Sequence, residues 1–361
     1  MIYLDYQATT PLAPEAREAM LAWLGGPETS GFANPHSPHR PGRAAAAAVE
    51  LAREQVAALL PAGGRVIFTS GATEAINLAI LGRPHREGRI LASAIEHAAV
   101  LDTARASGTA FDLIPVNGEG LVDAEVPIPP GTDLVCLMQV NNEIGTIQPV
   151  AELARRAHDA GALLLCDAVQ GAGKIAAPEG ADMIALSAHK LYGPKGIGAL
   201  WLREGVALSP LLHGGGQEGG LRSGTLSPAL CAGFGAAAAL CTNLRISDAA
   251  HVEKLWTIAR ALLPHWALNG SETQRWHGNL NLRLPGLDVA RLMSDCRDIA
   301  FSAGSACASG SGRPSHVLRA LGLSAADTKS SIRIGFGRYT GEGEFAEALR
   351  RIDAVASLQM D

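Results

Sequence analysis

Residues 65–82 read RVIFTSGATEAINLAILG. An apolar run rich in β-branched residues ends at Thr69. Gly71 then turns the chain into a segment whose apolar residues recur at helical spacing. The same alternation returns along the chain: RILASA before AAVLDTARAS, DLVCLMQV before PVAELARRAHDAG, then ALLLCDA and DMIALSA. Strands that are apolar on both faces, each followed by an amphipathic helix, require a parallel sheet covered by helices on both sides. The chain is therefore read as α/β.

From about residue 245 the rhythm changes. A charged helix DAAHVEKLWTIARALL, an alternating strand NLNLRL, a helix LDVARLMSD and a closing helix GEFAEALRRIDAVASL follow one another. In the last of these Phe345, Ala348, Leu349, Ile352, Val355 and Ala356 share one helical face. The expected division is a large domain over 15–244, a smaller α+β domain over 245–361, and an amino-terminal segment, 1–14, packing with the smaller one.

The 361 residues suffice for two such units, and 47% hydrophobic with 18% charged residues describes a soluble globular chain. A formal charge of −5 without clustered Lys or Arg argues against nucleic acid as a partner. The opening MIYLDYQATTP lacks the apolar core of a secretory signal, so a cytoplasmic protein is expected. The Ala-rich runs RAAAAAVELA and GFGAAAALC read as buried helices rather than membrane spans. Six cysteines show no CxxC pair, which predicts free thiols. Five lie in apolar runs and should be buried. Cys307, within AGSACASG at 303–310, has almost nothing around it to bury or pin it, and is expected to be the reactive and mobile one.

Several strand ends carry groups with chemical potential. SAHKLYGPKGIGALWL places Ser187, His189 and Lys190 in a turn between two strands, where a desolvated lysine can attack an aldehyde. Asp167 ends an apolar strand and precedes Gln170; a buried carboxylate there needs a cationic partner such as a protonated pyridine nitrogen. Ala72 and Thr73 open a helix and offer an anion site. His97 sits at a strand-to-helix junction, Asn141 and Asn142 at another strand end, and GGGQEGGLRSGT carries Arg222, Ser223 and Thr225. Together they supply what pyridoxal 5′-phosphate needs.

At these residues the chain resembles the pyridoxal-phosphate cysteine desulfurases of the NifS/IscS type, within the class V aminotransferase fold. The motifs run in order: YLDYQATTP, NPHSPHRPGR, FTSGATEA, IEHAAVL, VNNEIGTIQP, DAVQGAGK, SAHKLYGPKGIGALW, GGGQEGGLRSGT, AGSACASG and SSIRIGFGR. The resemblance implies fold type I, with a mainly parallel seven-stranded sheet in the large domain. It implies that Lys190 holds the cofactor as a Schiff base, Asp167 pairs with the pyridine nitrogen, Gln170 meets the ring hydroxyl and His97 stacks on the ring. Ala72, Thr73, Ser187 and His189 would hold the phosphate, with Thr225 reaching in from the second subunit of a homodimer. Arg333 with Asn142 would clamp the substrate carboxylate, and Asn34 joins the substrate-binding set.

The implied reaction converts L-cysteine to L-alanine and leaves the sulfur as a persulfide on Cys307, with His97 as proton acceptor for its thiol. The sulfur would pass to an acceptor such as an iron-sulfur scaffold. No metal site is expected, apart from contact of Cys307 with a cluster during transfer. The chain stops at Asp361, where longer relatives carry a scaffold-contacting segment, which leaves that partner open. Competing readings are a selenocysteine lyase or C–S lyase, an aminotransferase of the same fold, and a catalytically idle dimeric partner.

Overall fold

The computed structural model describes residues 1–84, 87–304 and 315–360. The chain opens with β1 (Ile2–Tyr3), α1 (Pro14–Leu21) and α2 (Arg40–Ala57). The alternating region follows as β2 (Gly64–Thr69), α3 (Ala72–Gly82), β3 (Arg89–Ser93), α4 (Ala98–Ala106), β4 (Phe111–Ile114), β5 (Thr132–Cys136), α5 (Val150–Asp159), β6 (Leu163–Asp167), β7 (Met183–Ser187) and β8 (Gly198–Arg203).

These strands form one seven-stranded sheet in the order β2-β8-β7-β6-β5-β3-β4. The neighbours from β7 through β6, β5 and β3 to β4 pair in parallel, while β8 runs antiparallel to both β7 and β2. The reversal has a simple cause. Only residues 188–197 join β7 to β8, too few for the crossover that a parallel return needs. Strand β7 is buried along its whole length and β6 along all but its first residue, as double-sided helix cover demands. At Gly198 a side chain would collide with the Leu186 carbonyl oxygen at 2.4 Å and the Gly71 Cα at 2.7 Å. Glycine there lets the turn before α3 lie directly on β8.

The expected break near residue 245 falls inside one continuous helix, α6 (Pro228–Leu262), 35 residues long. No glycine or proline interrupts it after Gly235, so the Ala-rich run and the charged run fuse. By length and composition this helix could cross a membrane. Its Phe234, Ala237 and Ala238 are instead buried in the core, and the helix packs on α1 and α2.

The rest of the chain contains β9 (Ala267–Leu268), β10 (Asn279–Arg283), α7 (Val289–Asp295), β11 (Ile299–Ala300), β12 (Ser302–Ala303), α8 (His316–Ala320), α9 (Ala325–Lys329), β13 (Ser331–Gly335) and α10 (Glu342–Ser357). A four-stranded antiparallel sheet runs β12-β13-β10-β9, and β1 pairs with β11 in parallel. A second apolar core joins Leu255, Trp266, Ile334 and Phe345 to Leu4 from the amino-terminal segment. The alternation of β10 does not mark a solvated face. Asn279 and Asn281 are buried, and their side-chain amides donate to the carbonyls of Asn142 and Glu143 across the junction of the two sheets.

Candidate active site

The carboxyl ends of β3, β5, β6 and β7 open onto a cavity of about 690 Å³. Ten of the residues singled out from sequence line it. Lys190, Asp167, His97, Gln170, Asn142 and Arg333 form the part with reactive or directional groups. Ala72, Thr73, Ser187 and His189 line it beside the start of α3.

Asp167 is the last residue of β6 and is buried at 6% exposure. Its Oδ1 accepts the Val169 N–H at 3.0 Å. Burial raises its carboxyl above the ordinary range, and the neighbouring His97 and Lys190 pull it back down. Gln170 donates from Nε2 to the Gln7 carbonyl at 3.0 Å. Lys190 Nζ donates to the carbonyls of Gln7 and Ala8, the second at 2.8 Å. The amino-terminal segment thus supplies the acceptors that hold the lysine.

His97 precedes α4 as its N-cap, with Nδ1 accepting the Ala99 N–H at 3.1 Å. A neutral ring bonded in this way carries its proton on Nε2. Burial lowers its pKa, Asp167 raises it and Lys190 lowers it again. The accepting nitrogen is already used by its own helix, which leaves Nε2–H as the group free for the cavity. The His189 imidazole is pushed down to about 4 by burial, with Lys190, Lys195 and Lys174 adding to the effect.

Arg333 lies on β13 of the smaller sheet and lines the cavity. Its Nη1 donates to the Asn142 carbonyl at 3.1 Å and its Nη2 to Asp5 Oδ1 at 2.8 Å. The neighbouring Asn141 shapes the turn. It donates to the Ile95 carbonyl at 2.9 Å and accepts the N–H groups of Glu143 and Ile144.

Two expected residues lie elsewhere. Asn34 is exposed outside the cavity, and its Oδ1 caps its own turn by accepting the His36 N–H at 2.8 Å. Thr225 is exposed on its glycine-rich loop, outside the cavity of its own chain. Cys307 lies outside the described residues. The other five cysteines are buried and unbridged, and burial lifts Cys136 and Cys166 well above the ordinary thiol range.

The sequence reading missed two buried carboxyls beneath the cavity. Glu96 is fully buried, and its Oε1 accepts the Met138 N–H at 2.7 Å. Glu143 Oε2 accepts the Ser315 hydroxyl at 2.5 Å, while His316 Nε2 donates to the Glu96 carbonyl at 2.9 Å. Each carboxyl adjoins a residue that was recognised, His97 or Asn142, and that adjacency was the only signal available.

These groups fit a phosphorylated pyridine aldehyde. There is a lysine amine for the aldehyde and a buried carboxyl for the ring nitrogen. An imidazole lies alongside, and the start of α3 offers free N–H groups for the phosphate. A Cβ on Gly71 would meet nothing within 4 Å, so space is open there.

The model of the aminotransferase class-V family matches residues 2–346. The chain is 41% identical to a cysteine desulfurase IscS of Rickettsia bellii, over 97% of this chain and 90% of that protein. It superposes on a solved NifS-like protein with a TM-score of 0.90, at 32% identity and 99% coverage of both chains. A structure of SspA in complex with cysteine matches with a TM-score of 0.80 at 33% identity, covering 94% of this chain and all of that one.

Proposed function

The chain belongs to the class-V aminotransferase family and is a cysteine desulfurase, and we propose that the cavity at the ends of β3, β5, β6 and β7 is where it takes sulfur from L-cysteine. The observation that carries this is the convergence of Lys190, Asp167, His97 and Arg333 on one cavity. Pyridoxal 5′-phosphate, when bound, supplies an electron sink for the substrate carbon skeleton.

The protein groups then have distinct tasks. Lys190 would hold the cofactor through its side-chain nitrogen and would take the substrate Cα proton. Asp167 sits where a protonated ring nitrogen would neutralise it, and its burial makes that pairing strong. Ala72, Thr73, Ser187 and His189 hold the phosphate, and Gln170 meets the ring hydroxyl. His97 packs on the ring and holds a proton at Nε2. Arg333 and Asn142 receive the substrate carboxylate, for which a guanidinium is suited.

The thiolate of Cys307 attacks the substrate sulfur. The substrate C–S bond breaks, an S–S bond forms, and the thiol proton ends on alanine. The reaction therefore balances without an outside oxidant: one cysteine and one enzyme thiol give one alanine and one persulfide. The sulfur then leaves for an acceptor protein such as an iron-sulfur scaffold. We propose a homodimer in which Thr225 serves the neighbouring site. Its exposure outside its own cavity supports this, as do Leu24 and Phe32, exposed at 62% and 64%. Unbridged thiols support a cytoplasmic location.

The test is alanine formation from L-cysteine by the purified yellow enzyme. Lys190→Ala should abolish it, and turnover by that variant at the parent rate would refute the site.

A further inference from the structure

Arg333 is 1% exposed, yet it lines the cavity. A buried guanidinium without a counter-charge is costly, and one free to rotate would not present a fixed fork. Two corners of this one are anchored, Nη2 on Asp5 Oδ1 and Nη1 on the Asn142 carbonyl. The remaining nitrogen, Nε, is buried and has no partner. It is closed off from the cavity, whereas Nη1 and Nη2 carry two hydrogens each and their anchoring bonds use one apiece. Glu143 also lies within electrostatic reach of Arg333, but its Oε2 is taken by Ser315.

Asp5 is itself held firmly. Its carbonyl accepts the Ala8 N–H at 2.9 Å, the Thr9 N–H at 3.3 Å and the Tyr3 hydroxyl at 3.1 Å. Flanking it, the Leu4 carbonyl accepts the Gly335 N–H at 2.8 Å, just past Arg333 on β13. With its backbone fixed and only two side-chain torsions, Asp5 makes a rigid anchor. The next residues of the same segment hold Lys190.

We propose that Asp5 is the positioning residue of the carboxylate clamp: by fixing the Arg333 guanidinium it keeps the second N–H groups of Nη1 and Nη2 oriented for an α-carboxylate and so sets the preference for substrates that carry one. This rests on Arg333 being the clamp.

The test uses the cofactor-loaded enzyme and two unreactive ligands, L-alanine and L-alaninamide, which differ only in the carboxylate, with dissociation constants from calorimetry. The parent protein should prefer alanine. Asp5→Ala should lower that preference about tenfold through the alanine constant alone, because loss of a buried anchor acts on the charged ligand. Asp5→Asn, which can still accept a hydrogen bond, should fall about threefold, and it decides the matter if Asp5→Ala does not fold. General damage would weaken both ligands together, which would overturn the proposal, as would an unchanged preference in the Asp5 variants. Arg333→Ala separates the two claims. If it leaves the preference intact the clamp itself is wrong; if it collapses the preference while the Asp5 variants do not, only the positioning role is wrong.

Discussion

His97 Nδ1 accepts the main-chain N–H of Ala99 at 3.1 Å, so the ring that faces the cofactor cavity is also the cap of the helix behind it. The bond selects the tautomer with hydrogen on Nε2. Nitrogen NMR of the labelled protein at neutral pH should show His97 protonated at Nε2 only, with the ring charging below the ordinary histidine range because burial opposes the cation. A proton on Nδ1 would contradict this. In turnover, His97→Gln keeps a donor and should retain at least tenfold more activity than His97→Ala, within the span that a positioned proton donor contributes.

His189 gives a pH signature in the cofactor-free protein. Its pKa is lowered to about 4 in the fold, against an ordinary 6.5. Between those values the unfolded chain binds more protons than the folded one, so this residue's contribution to stability falls as pH drops from 6.5 towards 4. The raised carboxyls of Asp167 and Glu143 act in the opposite sense, so the prediction concerns the difference between variants. Melting temperatures of His189→Gln measured across pH 4–6.5 should decline less steeply than those of the parent. Parallel curves would count against it.

Ser315 makes two bonds at the start of α8: its hydroxyl donates to buried Glu143 and accepts the Leu318 N–H at 3.0 Å. Ser315→Ala removes the cap and leaves a buried carboxyl oxygen without its partner. The expected loss is about 2 kcal/mol in denaturant unfolding. A change within about 0.5 kcal/mol, the range of an ordinary surface substitution, would show that the pair carries little.

How far the sequence could be read follows from what kind of signal each residue gives. Lys190, Asp167 and His97 were legible because each stands at or just beyond the carboxyl end of a strand, in a pattern that places strand ends together. The closing helix was legible too, since Phe345, Leu349 and Ile352 keep one face and that face is buried. The roles of Asp5, Glu96 and Glu143 were not. Their partners, Arg333, Met138 and Ser315, lie 328, 42 and 172 residues away, and no periodicity encodes such pairings. The fusion of two helical runs into α6 escaped because a change of composition looked like a boundary where no helix-breaking residue stood. The buried partners of Asn279 and Asn281 on β10 were not legible for a related reason: asparagine marks a polar partner as readily as water, and here the partners are carbonyls of the active-site turn.

In the proposed reaction the sulfur of L-cysteine is carried on Cys307, a residue outside those described. The direct measurement is intact mass of the cofactor-loaded enzyme after incubation with L-cysteine without reductant, alongside Cys307→Ser. One added sulfur per chain is expected in the parent, with alanine released in equal amount, and none in the variant. No added sulfur in the parent, or the same addition in Cys307→Ser, would contradict it.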